Sequence, residues 1–147
     1  MTAPVQFMIG NSIEFASFAF NGRTHPDCAD YWDGNWVRTL LEVKVGGFRA
    51  RINENLRVEE IISFLDEVKL LYQANNGVAS FQTMEGWIDL RMEADGKGHI
   101  KCNAVVVDDP GIGNRLSFAL HLDQTFLPPI IASLDAFATE YPLIGKP

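Results

Sequence analysis

The chain has 147 residues, 47% of them hydrophobic and 21% charged, which suits one domain with a single core and excludes an extended disordered chain. Its 12 basic and 19 acidic residues give a net charge of -7, which disfavours non-specific binding to nucleic acid or anionic membranes and suits a basic partner. No apolar run approaches the roughly 20 residues that span a bilayer, and Met1–Ile9 lacks the basic start and apolar stretch of a secretory leader, so a soluble cytoplasmic protein is expected. Cys28 and Cys102 form no disulfide framework and are expected as free thiols.

In chain order, Val5 to Phe20 reads as two short strands broken at Gly10-Asn11, and Asn21 to Asp30 as a surface loop. Trp36 to Val45 alternates with period two, Gly46-Gly47 turns the chain, and Phe48, Ala50 and Ile52 continue the alternation, so these runs form a hairpin. The period becomes helical from Val58 to Asn76. Val58, Ile61, Ile62, Leu65, Val68 and Leu71 or Tyr72 line one face, each buried aliphatic contributing about 1.5 to 3 kcal/mol, and Asn75-Asn76-Gly77 supplies the left-handed stop.

Strand patterns return over Val78–Thr83, Gly86–Glu93 and His99–Val107, with Asp95-Gly96-Lys97-Gly98 as a hairpin turn between the last two. Asp108 to Gly113 is a loop, and Arg115 to Asp123 is a further half-buried strand. A second helix is expected from Phe126 to Tyr141, with Thr125 as N-cap, Pro128-Pro129 in the first turn and Pro142 as the stop. The sequence carries no repeat at solenoid period and no interdomain linker, so residues 1–147 read as one domain. The expected fold class is α+β: a single antiparallel sheet of seven to eight strands with two helices packed on one face. Its other face then carries a mixed charge set, among it Arg38, Glu42, Lys44, Arg49, Arg51, Asp89, Arg91, Glu93 and Lys101, which suits a solvated surface or a recognition face.

Chemistry-bearing patterns are sparse. His25, His99 and His121 have no HxH or HxxxH spacing, and no CxxC occurs, so neither a metal nor any other cofactor is expected. Asp27, Asp30 and Asp33 lack the positions and the terminal Glu of a calcium loop. No nucleophile elbow is present, and no catalytic residue is assigned; the residual constellation is His121 with Asp123, and His99 if its strand is adjacent, as in a small-molecule hydrolase. Gly111-Ile112-Gly113-Asn114 precedes a strand and so lacks the helix N-terminus that would make it a phosphate loop.

The segment Asp30-Tyr31-Trp32-Asp33-Gly34-Asn35-Trp36 stands apart, with three large aromatics and two carboxylates around a turn. Asp33-Gly34-Asn35 is expected to set the turn and Trp36 to start the strand, while the aromatics plug the end of the sheet. For Trp32 the expectation is a buried plug first and a partner anchor second.

Together with Thr83-Met84-Glu85-Gly86-Trp87, Gly96-Lys97-Gly98-His99-Ile100, Gly113-Asn114-Arg115-Leu116 and Leu122-Asp123-Gln124-Thr125-Phe126-Leu127-Pro128, this segment resembles the WapI-like immunity proteins of bacteria, from about Asp30 to Tyr141. The resemblance implies a non-enzymatic protein that binds and blocks a toxin such as a nuclease. Asp30, Trp32, Asp33, Asp108 and Asp109 are the residues expected to meet a basic toxin domain. A small-molecule hydrolase built on His121 and Asp123, and a structural adaptor working through the charged sheet face, stand beside that reading.

Overall fold

The structure, a computed structural model, describes residues 4–147. Met1–Ala3, the start of the segment read for a leader, lie outside them. Strands β1 (Val5–Gly10), β2 (Phe15–Arg23), β3 (Trp36–Val45) and β4 (Phe48–Arg57) are followed by a helix over Val58–Ala74, then by β5 (Asn76–Gln82), β6 (Ile88–Asp95), β7 (His99–Val107) and β8 (Arg115–Asp123). A one-turn helix, α1 (Tyr31–Gly34), sits between β2 and β3, so the long helix is α2; a 3-10 turn, Gln124–Phe126, leads from β8 into α3 (Leu127–Glu140).

The single expected sheet is corrected to two. β1-β2-β3-β4 form one antiparallel sheet and β5-β6-β7-β8 form another. The 17 residues of α2 separate β4 from β5, so those strands have no hairpin to join them. The helices also do not lie together on one face of one sheet: α2 packs along β5, α3 packs along β1, and the two touch each other. The charged set foreseen as one outer face is accordingly divided, with Arg38, Glu42, Lys44, Arg49 and Arg51 on the first sheet and Asp89, Arg91, Glu93, Lys101, His121 and Asp123 on the second.

Period-two burial follows the sequence closely. In β3 the side chains of Val37, Thr39, Leu41, Val43 and Val45 are buried, and in β6 those of Ile88, Leu90, Met92 and Ala94. Between the sheets the core is aromatic: Phe7 stacks on Phe18 with centroids 4.5 Å apart, and Phe18 meets Phe81 edge-on at 5.9 Å. Phe64 of α2 reaches both Phe81, at 5.4 Å, and Phe7, at 6.4 Å, so one helical side chain ties the two sheets together. Phe137 of α3 meets Phe20 of the first sheet edge-on at 4.5 Å. On α2, Leu71 is the buried choice and Tyr72 the exposed one, and Asn75 ends the helix with φ 53°. Thr125 does not cap α3; Asp123 accepts its N–H one turn earlier, in the 3-10 segment.

The two sheets are built alike. Each is a four-strand meander followed by a helix, and the junctions correspond. Trp36 pairs with Arg57 across β3 and β4, and His99 pairs with Asp123 across β7 and β8. Just beyond each pair a backbone bond recurs: Val58 N–H donates to the Asn35 carbonyl at 2.9 Å, and Gln124 N–H donates to the Gly98 carbonyl at 3.0 Å. The second half closes this corner with the short Asp95–Gly98 turn. The first half inserts residues 24–35 instead.

Because Phe64 bridges both sheets, Phe64→Ala is expected to destabilise the protein by on the order of 3 to 5 kcal/mol while unfolding remains a single transition. Urea melts followed by far-ultraviolet dichroism and tryptophan fluorescence check this; separate midpoints for the two probes would show that the halves unfold independently.

Candidate functional site

The inserted segment of the first half folds around a buried arginine. Arg57 falls at the end of β4, between Leu56 and Val58, and is only 2% exposed. Its guanidinium donates to the carbonyls of Trp32 (2.7 Å) and Tyr31 (2.8 Å), and its Nε bonds the carboxylate of Glu59. The rings of Tyr31, Trp32 and Trp36 surround it, with centroids 5.2, 5.6 and 5.0 Å from the guanidinium carbon. A buried cation is costly unless paired and hydrogen-bonded, and here two carbonyls, one carboxylate and three ring faces answer it.

Local chemistry explains why the segment takes this shape. Asp30 caps α1, its Oδ2 accepting from Trp32 N–H (3.0 Å) and Asp33 N–H (3.1 Å). Gly34 is required for space rather than for a left-handed turn, since a Cβ there would lie 2.8 Å from the Cys28 carbonyl oxygen and its φ is not positive. Arg23 of β2 takes the Gly34 carbonyl at 2.7 Å, so arginines answer three carbonyls of this one-turn helix. Asn35 is fully buried; its amide donates to the carbonyls of Tyr31 and Ile144 and its Oδ1 accepts from Ile144 N–H, all at 2.9 Å, which fastens the C-terminal stretch to the same corner.

Trp32 is therefore not the buried plug that the sequence suggested. Its backbone carbonyl and one ring face are held by Arg57, while 54% of the residue stays exposed. The plug at the seam between the sheets is Trp87, fully buried, whose indole N–H donates to the Asn55 carbonyl at 2.9 Å. The turn before Trp87 is tied to the aromatic corner through Glu60. One oxygen of this carboxylate accepts Arg57 N–H and the other accepts Met84 N–H. Burial pushes the Glu60 carboxyl up despite both donors.

Beyond Met84 the surface is acidic. Glu54 on β4 has its carboxyl raised first by partial burial and then by the charges of Glu85 and Asp109, so three carboxylates from three elements converge. The residues singled out from the sequence thus fall in two places. Trp32 and Asp33 lie on α1 and Asp30 caps it, all exposed; Asp109, in the loop after β7, acts on Glu54 through its charge. Asp108 is turned inward to its own loop, accepting Asn114 N–H at 2.7 Å and Asn114 Nδ2–H at 3.0 Å, which hold its carboxyl low. Arg57, Glu60, Glu54 and Glu85 carry no motif that marks them; the one local signal is the placement of Arg57 between two apolar residues, Leu56 and Val58.

His121 and Asp123 lie two apart on β8 and share no hydrogen bond among the described residues. Asp123 is committed to Thr125, whose bonds hold its carboxyl low, and His99 sits against Asp95, its Nδ1 3.0 Å from Oδ2. Among the described residues no group of three or more His, Cys, Asp or Glu is placed to hold a metal ion, and no helix is long and apolar enough to cross a membrane. The Cys102 thiol is buried and pushed up to about 12, which leaves it unreactive; Cys28 is half-buried, and both are free.

The model of the Immunity protein WapI-like family matches residues 7–142. The chain belongs to this family. No curated protein matches it. Among solved structures, it is similar to the plant transcriptional regulator PBF-2, at 13% identity and a TM-score of 0.49, over 98% of this chain and 84% of that one. It is also similar to the Trypanosoma bruciei MRP1/MRP2 structure, at 7% identity and a TM-score of 0.49, over 95% and 86% respectively. The family match extends beyond the stretch on which the sequence resemblance rested, and takes in β1 and β2 as well as the aromatic corner.

Arg57→Ala is expected to cost on the order of 3 to 5 kcal/mol, because it leaves Glu59 and two carbonyls unanswered. Arg57→Lys should recover little, since an ammonium cannot span both carbonyls and stack among the rings. Chemical denaturation of both variants checks this, and a lysine variant as stable as the parent would contradict it. Glu54 gives a pH signature. Its folded pKa is raised, so its ionisation costs stability as pH rises above the unfolded value near 4.5. Glu54→Gln should raise the melting temperature at pH 7, with the gain disappearing below pH 4, where the carboxyl is neutral in both states; an equal gain at both pH values would show that charge is not the cause.

Proposed function

We propose that this protein is a cytoplasmic immunity protein that neutralises a bacterial toxin by non-catalytic binding, the toxin being a basic nuclease domain. The observation that carries the reading is Trp32: a large aromatic, more than half exposed, on a turn whose backbone is clamped by Arg57, Asp30 and Asn35. An aromatic side chain held rigidly loses little entropy on docking, which is what makes tryptophan a frequent anchor at interfaces.

The charge around it fits a basic partner. Asp30 and Asp33 flank Trp32, Glu59 lies against Arg57 beneath it, and Glu60 links this corner to the exposed Met84 and to Glu85. Beyond Glu85 come Glu54 and Asp109, and the Glu54 carboxyl is raised first by partial burial and then by the charges of the other two. Carboxylates kept together against their mutual repulsion destabilise the free protein, and a cationic surface placed over them relieves that repulsion. Docking here leaves the toxin's substrate path blocked by bulk rather than by any reaction of this chain. In this reading neither nucleic acid nor a membrane is the partner.

Co-expression with the product of the neighbouring open reading frame tests the proposal. The parent should form a complex and protect the cell. Trp32→Ala should weaken binding by about 2 kcal/mol or more, and Glu85→Lys with Asp109→Lys should slow association and flatten its salt dependence. A complex whose affinity is unaffected by all three substitutions would place the interface elsewhere.

A further inference from the structure

A second surface, of opposite charge, lies at the start of β4. Between the start of β4 and the β7–β8 connection is a crevice of about 300 Å³. Its apolar lining is Ala50, Ile52, Val106 and Leu116, with the ring of Phe48, 65% exposed, at its mouth. Arg49, Arg51 and Arg115 stand around it, and among the described residues none of the three forms a salt bridge. The lining includes one carboxylate, Asp108, which Asn114 already engages. In a chain of net charge -7, three uncommitted guanidinium groups over one apolar trough are a local reversal of the field.

The crevice runs along an open strand edge. Among the described residues, β4 pairs only with β3. The Val45–Phe48 hairpin pair sets the alternation, so Phe48, Ala50 and Ile52 bond to β3 while Arg49, Arg51 and Asn53 turn their N–H and C=O groups outward. Further on the edge is closed, because the Asn55 carbonyl accepts the Trp87 indole N–H and the Arg57 N–H donates to the Glu60 carboxylate. The open part, Arg49 to Asn53, has room for a segment of roughly five residues.

We infer that this edge binds an extended segment of another protein in which carboxylate and apolar side chains alternate. Added as an antiparallel strand beside β4, such a segment turns one set of side chains toward the outer face, where Arg49 and Arg51 project. The alternate set turns toward Ile52, Val106 and Leu116, beneath Phe48. Arg115 reaches the same segment from the second sheet, and guanidinium groups pair with carboxylates in fixed, planar geometry. The surface shares no anchor with the face around Trp32, so the two are separable by mutation.

The probe is a seven-residue peptide, blocked at both ends, with glutamate at odd positions and valine at even ones. Titrated into nitrogen-15-labelled protein, it should shift the amide signals of Arg49, Arg51 and Asn53. Arg49→Glu with Arg51→Glu, and separately Arg115→Gln, should weaken it, the double variant by about tenfold or more, while Trp32→Ala leaves it unchanged. All these residues are exposed, and melting curves matching the parent's verify that each variant is folded. The inference is overturned if the peptide leaves those amides unmoved, if a lysine–valine peptide binds equally well, or if glutarate alone binds as tightly, which would make the crevice a small-anion site without strand addition.

Discussion

The corner on which this molecule depends is a single buried cation. Arg57 ends β4, starts α2 and is the object around which the aromatic segment folds, so one guanidinium fixes the exit of a strand, the entry of a helix and the path of an inserted turn. Its position is held from both sides. Glu59 neutralises the side chain, and Glu60 takes the backbone N–H while its second oxygen secures the turn at Met84. Without that cation the carbonyls of Tyr31 and Trp32 would face a low-dielectric interior with no donor.

The correspondence between the two halves shows what that corner adds. Asp123 occupies in the second half the place that Arg57 holds in the first, opposite His99 where the first half has Trp36. The second corner is solvent-exposed and closes with a tight turn and a capping carboxylate, as an ordinary strand-to-helix junction requires. The first corner is enlarged, buried and expensive in polar groups that must all be answered. Elaboration of one of two equivalent junctions, beyond what closing the chain demands, accords with a surface kept for recognition.

Much of this was readable from residue patterns. The β3–β4 hairpin, the β7 and β8 boundaries and the apolar stripe of α2 follow from periods of two and 3.6 because each element buries one face. The pattern of a strand records which face is buried but not which sheet buries it, so two four-strand meanders read as one eight-strand sheet. Trp32 misled for a related reason: residue type predicts burial on average, whereas its exposure follows from a clamp made by Arg57, a residue 25 positions away whose burial no local rule foresees. Asp30 and Asp33 were placed correctly on an exposed turn, but the carboxylates of Glu54 and Glu85, distant in sequence, gathered near Asp109 only through the docking of the two sheets.

The placing of the helices carries a final consequence. The helix that follows the first sheet lies on the opening strand of the second, and the helix that follows the second returns to the opening strand of the first. Each half therefore lends the other its lid. The first meander has no covering helix until the whole chain has been made, and a chain severed in the Ala74–Asn76 link would yield two fragments that each present a bare apolar face and recover the native form only by complementing one another. The fold behaves as a tethered heterodimer, and its tether is the one short connection that crosses between the partners.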